Sequence, residues 1–222
     1  MKFCPECGTP CEGANFCPSC GKDLRPYQQA MTQEKPVPQT HTAVGQAKTT
    51  PQYDVETALA PFIYSSRGNN TYMITGVKDK NITKVVIPDC VTQLGSKAFF
   101  ACPQLEEVYL PASLEDTGYL AFGKCESLKR VVIAVGVKRI EEGSFGMCKN
   151  LEEIQIPEGV LSIGGRAFQG SGLKCIQLPK TLQDIGANAF MDCVNLTTAQ
   201  VPYRLVEQFQ AQCPATCTVI PY

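Results

Sequence analysis

The chain has no tryptophan and only one histidine, His41. That histidine lies in a segment without any folding signal, so no Ser–His or Cys–His pair can be assembled inside a folded unit. Charge is also scarce. Charged residues make up 18% of the chain and the formal net charge is -1, which excludes the basic excess that steers proteins to nucleic acid or anionic membranes. No stretch reaches the roughly 18 consecutive apolar residues of a membrane span. No glycine-rich loop precedes a helical pattern to cradle phosphate. The first residues carry cysteine pairs and acidic side chains where a secretory leader needs a basic and then an apolar segment, so a cytoplasmic location is expected. In a reducing compartment the 13 cysteines are expected to bind metal or to pack as small apolar side chains.

Five of those cysteines crowd into residues 3–22, FCPECGTPCEGANFCPSCGK. Cys4, Cys7 and Gly8 repeat as Cys17, Cys20 and Gly21, giving two knuckles of identical CPxCG chemistry. A two-residue spacer lets both thiolates of a knuckle reach one ion, and the glycine permits the tight turn that follows. The segment resembles the small zinc ribbon at the N-terminus of many bacterial proteins. Cys4, Cys7, Cys17 and Cys20 are therefore the expected ligands of one structural Zn2+, and Cys11 is read as a packed or spare thiol. A four-thiolate site is closed to water and substrate, so its expected role is to fold a ribbon too small for its own core. Lys2 and Lys22 face Glu6, Glu12 and Asp23, and four thiolates on zinc add about -2, so direct nucleic-acid binding is not expected.

Residues 25–54 contain six Gln, five Thr and four Pro. Without a periodic apolar face, they read as a disordered linker whose ends average about 30 Å apart. From residue 55 to 222 the sequence is periodic. Ile82, Leu105, Leu128, Leu151, Leu173 and Leu196 step by 23, 23, 23, 22 and 23, and Phe99, Phe122, Phe145, Phe168 and Phe190 recur almost in phase. Such self-similarity is the signature of a solenoid. In LEEVYLP, Val108 and Leu110 alternate with Glu107 and Tyr109, the period of a strand with one buried face, and Pro111 stops it. Leu114 then points inward, a glycine often marks the next bend, and the small residue before each Phe leaves room for its ring. Residues 61–77 are expected to cap the front as a hairpin turning at Asn69-Asn70. The repeats occupy about 82–202, and 203–222 cap the rear with a short helix, Leu205 and Phe209 inward, and a last strand at TVI.

The pattern L-x-x-I-x-I-P, I-G, A-F, C at this period resembles the BspA-type leucine-rich repeat over about three quarters of the chain. Three departures stand out: Ala134 replaces the strand-ending Pro, Glu141 replaces the Gly, and coil four is one residue short. The resemblance implies a mainly β leucine-rich-repeat solenoid with short or irregular helical turns and one parallel sheet, beside the zinc ribbon. That family is best known for bacterial surface proteins that bind host proteins, so a binding module is implied.

Outward strand positions read Lys84, Glu107, Arg130, Glu153 and, one residue earlier, Glu106, Lys129, Glu152, Lys174. At the roughly 4.8 Å strand spacing each charge meets its opposite, which neutralises the face. The next outward ladder, Val86, Tyr109, Val132, Gln155, Gln177, Gln200, runs from apolar and aromatic to amide. Tyr109, Val132, Gln155 and Gln177 are its candidate binding residues, with Tyr109 the anchor. Exposed β-branched and aromatic residues also simply suit strands, so both readings stand. Cys102, Cys125, Cys148 and Cys193 share one repeat position, interrupted by Ser171, and read as buried reduced thiols. Cys213 and Cys217 read as cap packing. The expected function is a non-enzymatic intracellular protein-protein interaction module, its solenoid binding a protein partner and its ribbon tethered beside it. The alternatives are a zinc-ribbon regulator acting at nucleic acid through partners and a surface adhesin exported without a recognisable signal.

Overall fold

The computed structural model describes residues 55–222. The expected ribbon with Cys4, Cys7, Cys17 and Cys20, the linker, Cys11 and His41 lie outside the described residues.

A short helix that the sequence pattern did not reveal, α1 (Val55–Leu59), precedes the hairpin β1 (Phe62–Gly68) and β2 (Thr71–Val77). Asn69 and Asn70 join the two strands with φ of 50° and 56°, the twist that a two-residue turn needs to match antiparallel strands. Coil one contributes β3 (Lys84–Val86) and β4 (Val91–Leu94), and coil two contributes β5 (Glu107–Leu110). Coil three holds β6 (Arg130–Ile133) and β7 (Arg139–Ile140), and coil four holds β8 (Ser162–Ile163). Coil five adds β9 (Cys175–Gln177) and β10 (Asp184–Ile185), and the sixth copy adds β11 (Thr198–Val201). A 3-10 turn (Tyr203–Leu205), the helix α2 (Val206–Gln210) and β12 (Thr218–Pro221) close the chain, with Leu205 and Phe209 buried as expected.

The expected single parallel sheet is replaced by two parallel ladders on different sides of the coil. The main one joins β3, β5 and β6 and continues through a Val132–Gln155 bridge. It then stops, and β9, β11 and β12 form a separate sheet. The second ladder joins β7, β8 and β10, while β4 pairs in parallel with β2 of the hairpin. Its physical cause is the need to satisfy every buried backbone group. The bend after each proline brings a second extended stretch against its neighbour, and Gly95, Gly164 and Gly186 donate their N–H groups to Ile74, Ile140 and Ile163 at 2.6–2.7 Å. The hairpin therefore covers the second ladder and leaves β3 as the edge of the first.

A third corner holds the rings. Phe99, Phe122, Phe145, Phe168 and Phe190 are fully buried and stack nearly parallel at 5.0, 5.6, 5.7 and 5.4 Å between centroids. Phe62 closes one end edge-on at 5.9 Å, and Phe209 closes the other, tilted, at 4.9 Å. Burying each ring contributes on the order of 2–3 kcal/mol. The backbone must turn tightly around each ring. Lys97, Leu120, Arg166 and Asn188, two residues before their rings, and Ala101, Lys124, Met147 and Asp192, two after, all have φ between 52° and 60°. This left-handed conformation costs about 1–2 kcal/mol for such residues. It is offset by hydrogen bonds to the next coil, such as Lys97 N–H to Tyr119 O at 2.9 Å and Lys124 N–H to Gly146 O at 2.8 Å.

The cysteine column lies beside the rings. Cys102, Cys125, Cys148 and Cys193 are buried free thiols. Cys125, Cys148 and Cys193 donate to the carbonyls of Phe99, Phe122 and Phe168 at 3.1–3.2 Å. Burial pushes the Cys148 thiol up to about 12.

Candidate functional site

The parallel register of β3, β5 and β6 places Val86, Tyr109 and Val132 side by side on the outer face. Val86 is 55% exposed and Val132 36%, with Tyr109 half-buried between them. Gln155 follows through its bridge to Val132. Gln177 belongs to the next sheet, where it pairs with Gln200, which in turn pairs with Ile220. The expected continuous stripe is therefore two patches. One is apolar and aromatic and ends at Gln155. The other contains Gln177 and Gln200 and finishes on Ile220, a cap residue outside the periodic ladder positions.

The break adjoins the one-residue deletion of coil four. Ser171 and Leu173 are separated there by Gly172 alone, and a Cβ on Gly172 would stand 2.1 Å from the Lys149 carbonyl oxygen. Only a glycine admits that approach. Strand pairing resumes at Cys175, without a ladder link from Gln155 to Gln177 among the described residues.

Tyr109 is held on every side. Its hydroxyl donates to Glu107 Oε2 at 3.1 Å. Lys84 Nζ lies 4.9 Å from the ring centroid and Arg130 Cζ lies 5.9 Å from it, both within cation–π range. Lys84 also pairs with Glu107 at 3.2 Å. Hydrogen bonds from Lys84 first, and then from Tyr109, hold the Glu107 carboxyl below the ordinary carboxylate range. The expected charge alternation is realised in the Lys84–Glu107, Lys129–Glu106 and Lys174–Glu152 pairs. Arg130 departs from it by turning to the Tyr109 ring rather than completing an ion pair with Glu153. Glu153 instead borders a shallow depression with Lys129, Asn150 and Glu152. A tyrosine locked in this way is a rigid contact surface, with little side-chain entropy left to lose on binding.

A buried polar knot also went unread in the sequence. Thr117, in a position that other coils fill with Leu or Ile, donates to Ser144 Oγ at 2.9 Å. Ser144 donates to Glu141 O at 2.7 Å, and Glu141 N–H donates to Thr117 Oγ1 at 2.9 Å. The cycle sits at the corner where Glu141 replaces glycine, and there the backbone N–H finds the Thr117 hydroxyl instead of the preceding coil's carbonyl that Gly95, Gly164 and Gly186 use. Just outside, Arg139 joins Asp116 and Glu141, both at 2.9 Å. At the other departure, Ala134 donates its N–H to Leu110 O at 3.1 Å, a bond that proline cannot make. Among the described residues no cluster of His, Cys, Asp and Glu could hold a metal, and no helix is long and apolar enough to cross a membrane. Nothing positive in the fold indicates catalysis.

The comparisons agree with this architecture. Six copies of the BspA type leucine rich repeat region match residues 77–197. The solved structure of a T. pallidum leucine-rich repeat protein is 27% identical, with a TM-score of 0.63 over 73% of this chain and 81% of that one. A Bacteroides ovatus leucine-rich repeat protein, 24% identical, gives a TM-score of 0.57 over 64% of this chain and 46% of that one. The pneumococcal vaccine antigen PcpA, 17% identical, gives 0.52 over 71% and 49% and shares the fold alone. No curated protein sequence matches the chain. With its ring stack, repeat period and strand ladders in place, the chain belongs to the BspA-type leucine-rich repeat family.

Proposed function

We propose that this protein is a non-enzymatic interaction module whose solenoid binds a protein partner through the outer face of its main ladder. The observation that carries the reading is the column Val86–Tyr109–Val132, where exposed apolar side chains flank a tyrosine already immobilised by Lys84, Glu107 and Arg130. Rigid aromatic anchors beside apolar neighbours suit a hot spot. Gln155 extends this patch, and Gln177 with Gln200 supplies a polar flank. We further propose that Cys4, Cys7, Cys17 and Cys20 hold one structural Zn2+ in a ribbon tethered by residues 25–54, and that the protein works in the cytoplasm.

Affinity capture from cytoplasmic lysate, with nuclease, tests the reading. It compares the full chain, residues 53–222, and the full chain carrying Tyr109→Ala with Val132→Asp. A partner retained by both wild-type forms and lost from the double variant supports the proposal. A partner lost with residues 1–52 or with nuclease transfers the role to the ribbon or to nucleic acid. Metal analysis of the purified chain should find one zinc, lost on Cys4→Ser with Cys17→Ser. Cell fractionation that finds the protein outside the cell would overturn the cytoplasmic assignment.

A further inference from the structure

Part of the positive charge on the solenoid is neutralised along its faces. Lys84, Lys129, Lys149, Lys174, Arg139 and Arg166 each pair with a carboxylate. Lys80, Lys97 and Lys124 at the ring corner are among the cations that have no carboxylate within ion-pair distance among the described residues, and they are set apart by where they meet. All three converge on Phe100. Lys97 Nζ and Lys124 Nζ stand 5.7 and 5.8 Å from its ring centroid, and Lys80 Nζ donates to its carbonyl oxygen at 2.8 Å. The ring is half-buried and lies against Gly123, where a Cβ would come within 3.2 Å of it.

The arrangement follows from the fold. Lys97 and Lys124 occupy left-handed positions before and after their rings, at φ of 60° and 59°. Coil one contributes Lys97 and coil two contributes Lys124, so stacking the coils brings both to one aromatic side chain. Asp79, the acidic neighbour of Lys80, is engaged with the Asn81 N–H at 2.8 Å. Like charges gathered with no carboxylate in ion-pair contact raise the local potential, and the face of the ring steadies the ammonium groups of Lys97 and Lys124.

We propose that this patch is a docking site for a short acidic peptide segment of a protein partner, with two or three carboxylates on the lysines and an apolar side chain against Phe100. The site is distinct from the Tyr109 face, and it rests on the reading of the solenoid as a protein-binding module. The extent of positive charge selects a peptide over nucleic acid. A nucleic-acid strand brings a negative charge about every 3.4 Å. Farther along this corner such a strand would meet Glu126, Glu142 and Asp192, which are already engaged with Lys149, Arg166 and Gln169. Only a short anion matches the patch without crossing those carboxylates.

Fluorescence anisotropy on the full chain tests this, with a labelled seven-residue peptide of six glutamates around one phenylalanine. It is run at low salt, about 50 mM, so that screening does not hide the contact. Lys97→Glu with Lys124→Glu should weaken binding at least about tenfold, the order expected when attractive pairs become repulsive. Lys138→Glu with Lys180→Glu, the same charge change elsewhere, should stay within about twofold, while Phe100→Ala should cost severalfold through lost packing and cation placement. Lys80→Glu keeps an ordinary backbone and gives an independent reading if the double variant fails to fold by circular dichroism. Absence of peptide binding to the wild-type chain, or equal weakening by both double variants, overturns the proposal. Tighter binding of charge-matched oligo-deoxythymidine, lost in the same variants, would reassign the patch to nucleic acid. Failure here leaves capture through Tyr109 untouched, and failure of that capture leaves this titration standing.

Discussion

Between Lys84 and Gln155 the main ladder runs through three strands and into a fourth coil, and its face carries Val86, Tyr109 and Val132 among alternating ion pairs. From Cys175 onward the ladder begins again, and the same outward position carries Gln177, Gln200 and Ile220. The ring stack crosses the break without noticing it: Phe145 to Phe168 is 5.7 Å and Phe168 to Phe190 is 5.4 Å. Core continuity and sheet continuity are thus separable in this solenoid. A coil one residue short can keep its ring in line if the loss falls between the ring and the strand, at a position where glycine lets two backbones meet. Each coil still contacts only its neighbours, so a local defect does not spread.

The comparison can be broken most severely at the shared core. Phe145→Ala removes a ring with stacked neighbours on both sides and should cost about 3–5 kcal/mol, measured by urea denaturation. It should also separate the unfolding of the two halves, so that probes in coil one and coil five no longer coincide. Gly172→Ala attacks the break itself. A methyl group 2.1 Å from the Lys149 carbonyl oxygen forces the backbone apart, at a cost of about 2–3 kcal/mol. Hydrogen exchange should then accelerate in β9 and β11 more than in β5 and β6. Equal acceleration in both halves would mean that the break does not isolate them.

Smaller effects sharpen the contrast. Thr117→Val leaves the Glu141 N–H and a Ser144 partner unsatisfied in the interior, a loss of about 1–2 kcal/mol in thermal or chemical denaturation. The smallest effect is at Glu107. Its folded carboxyl titrates below the ordinary range because of Lys84 and then Tyr109. Its contribution to stability is therefore present above the unfolded carboxylate value and is lost as pH falls through the folded one. Lys84→Ala should move the Glu107 titration, followed by NMR, back up toward the ordinary value. A curve that stays in place would remove Lys84 as the cause.

The strands, the ring column, both caps and the cysteine column were legible because each depends on residues that recur at a fixed spacing. Asn69-Asn70 announced its turn through local backbone preference alone. The second ladder was not legible, since the Val91–Leu94 and Ser162–Ile163 stretches are too short to show a period, and their pairing is a property of stacked backbones. Of the knot of Thr117, Glu141 and Ser144, only Glu141 stands out in the repeat pattern as a departure. Nothing in the sequence says that residues 117, 141 and 144 meet. Ile220 entered the outer column only because β12 pairs with β11, and Arg130 chose the Tyr109 ring over Glu153 through rotamers that alternation cannot specify.

By itself, the sequence determined the repeat length, the inward and outward side of each strand and the identity of the rings. These follow from hydrophobic periodicity, which acts within one coil. The tertiary structure alone decided which coils share a sheet, how the ladder divides at Gly172 and which cations remain unpaired around Phe100. These depend on the vertical register of one coil on the next, where the positions of backbone hydrogen bonds and side-chain tips, rather than residue types, set the outcome.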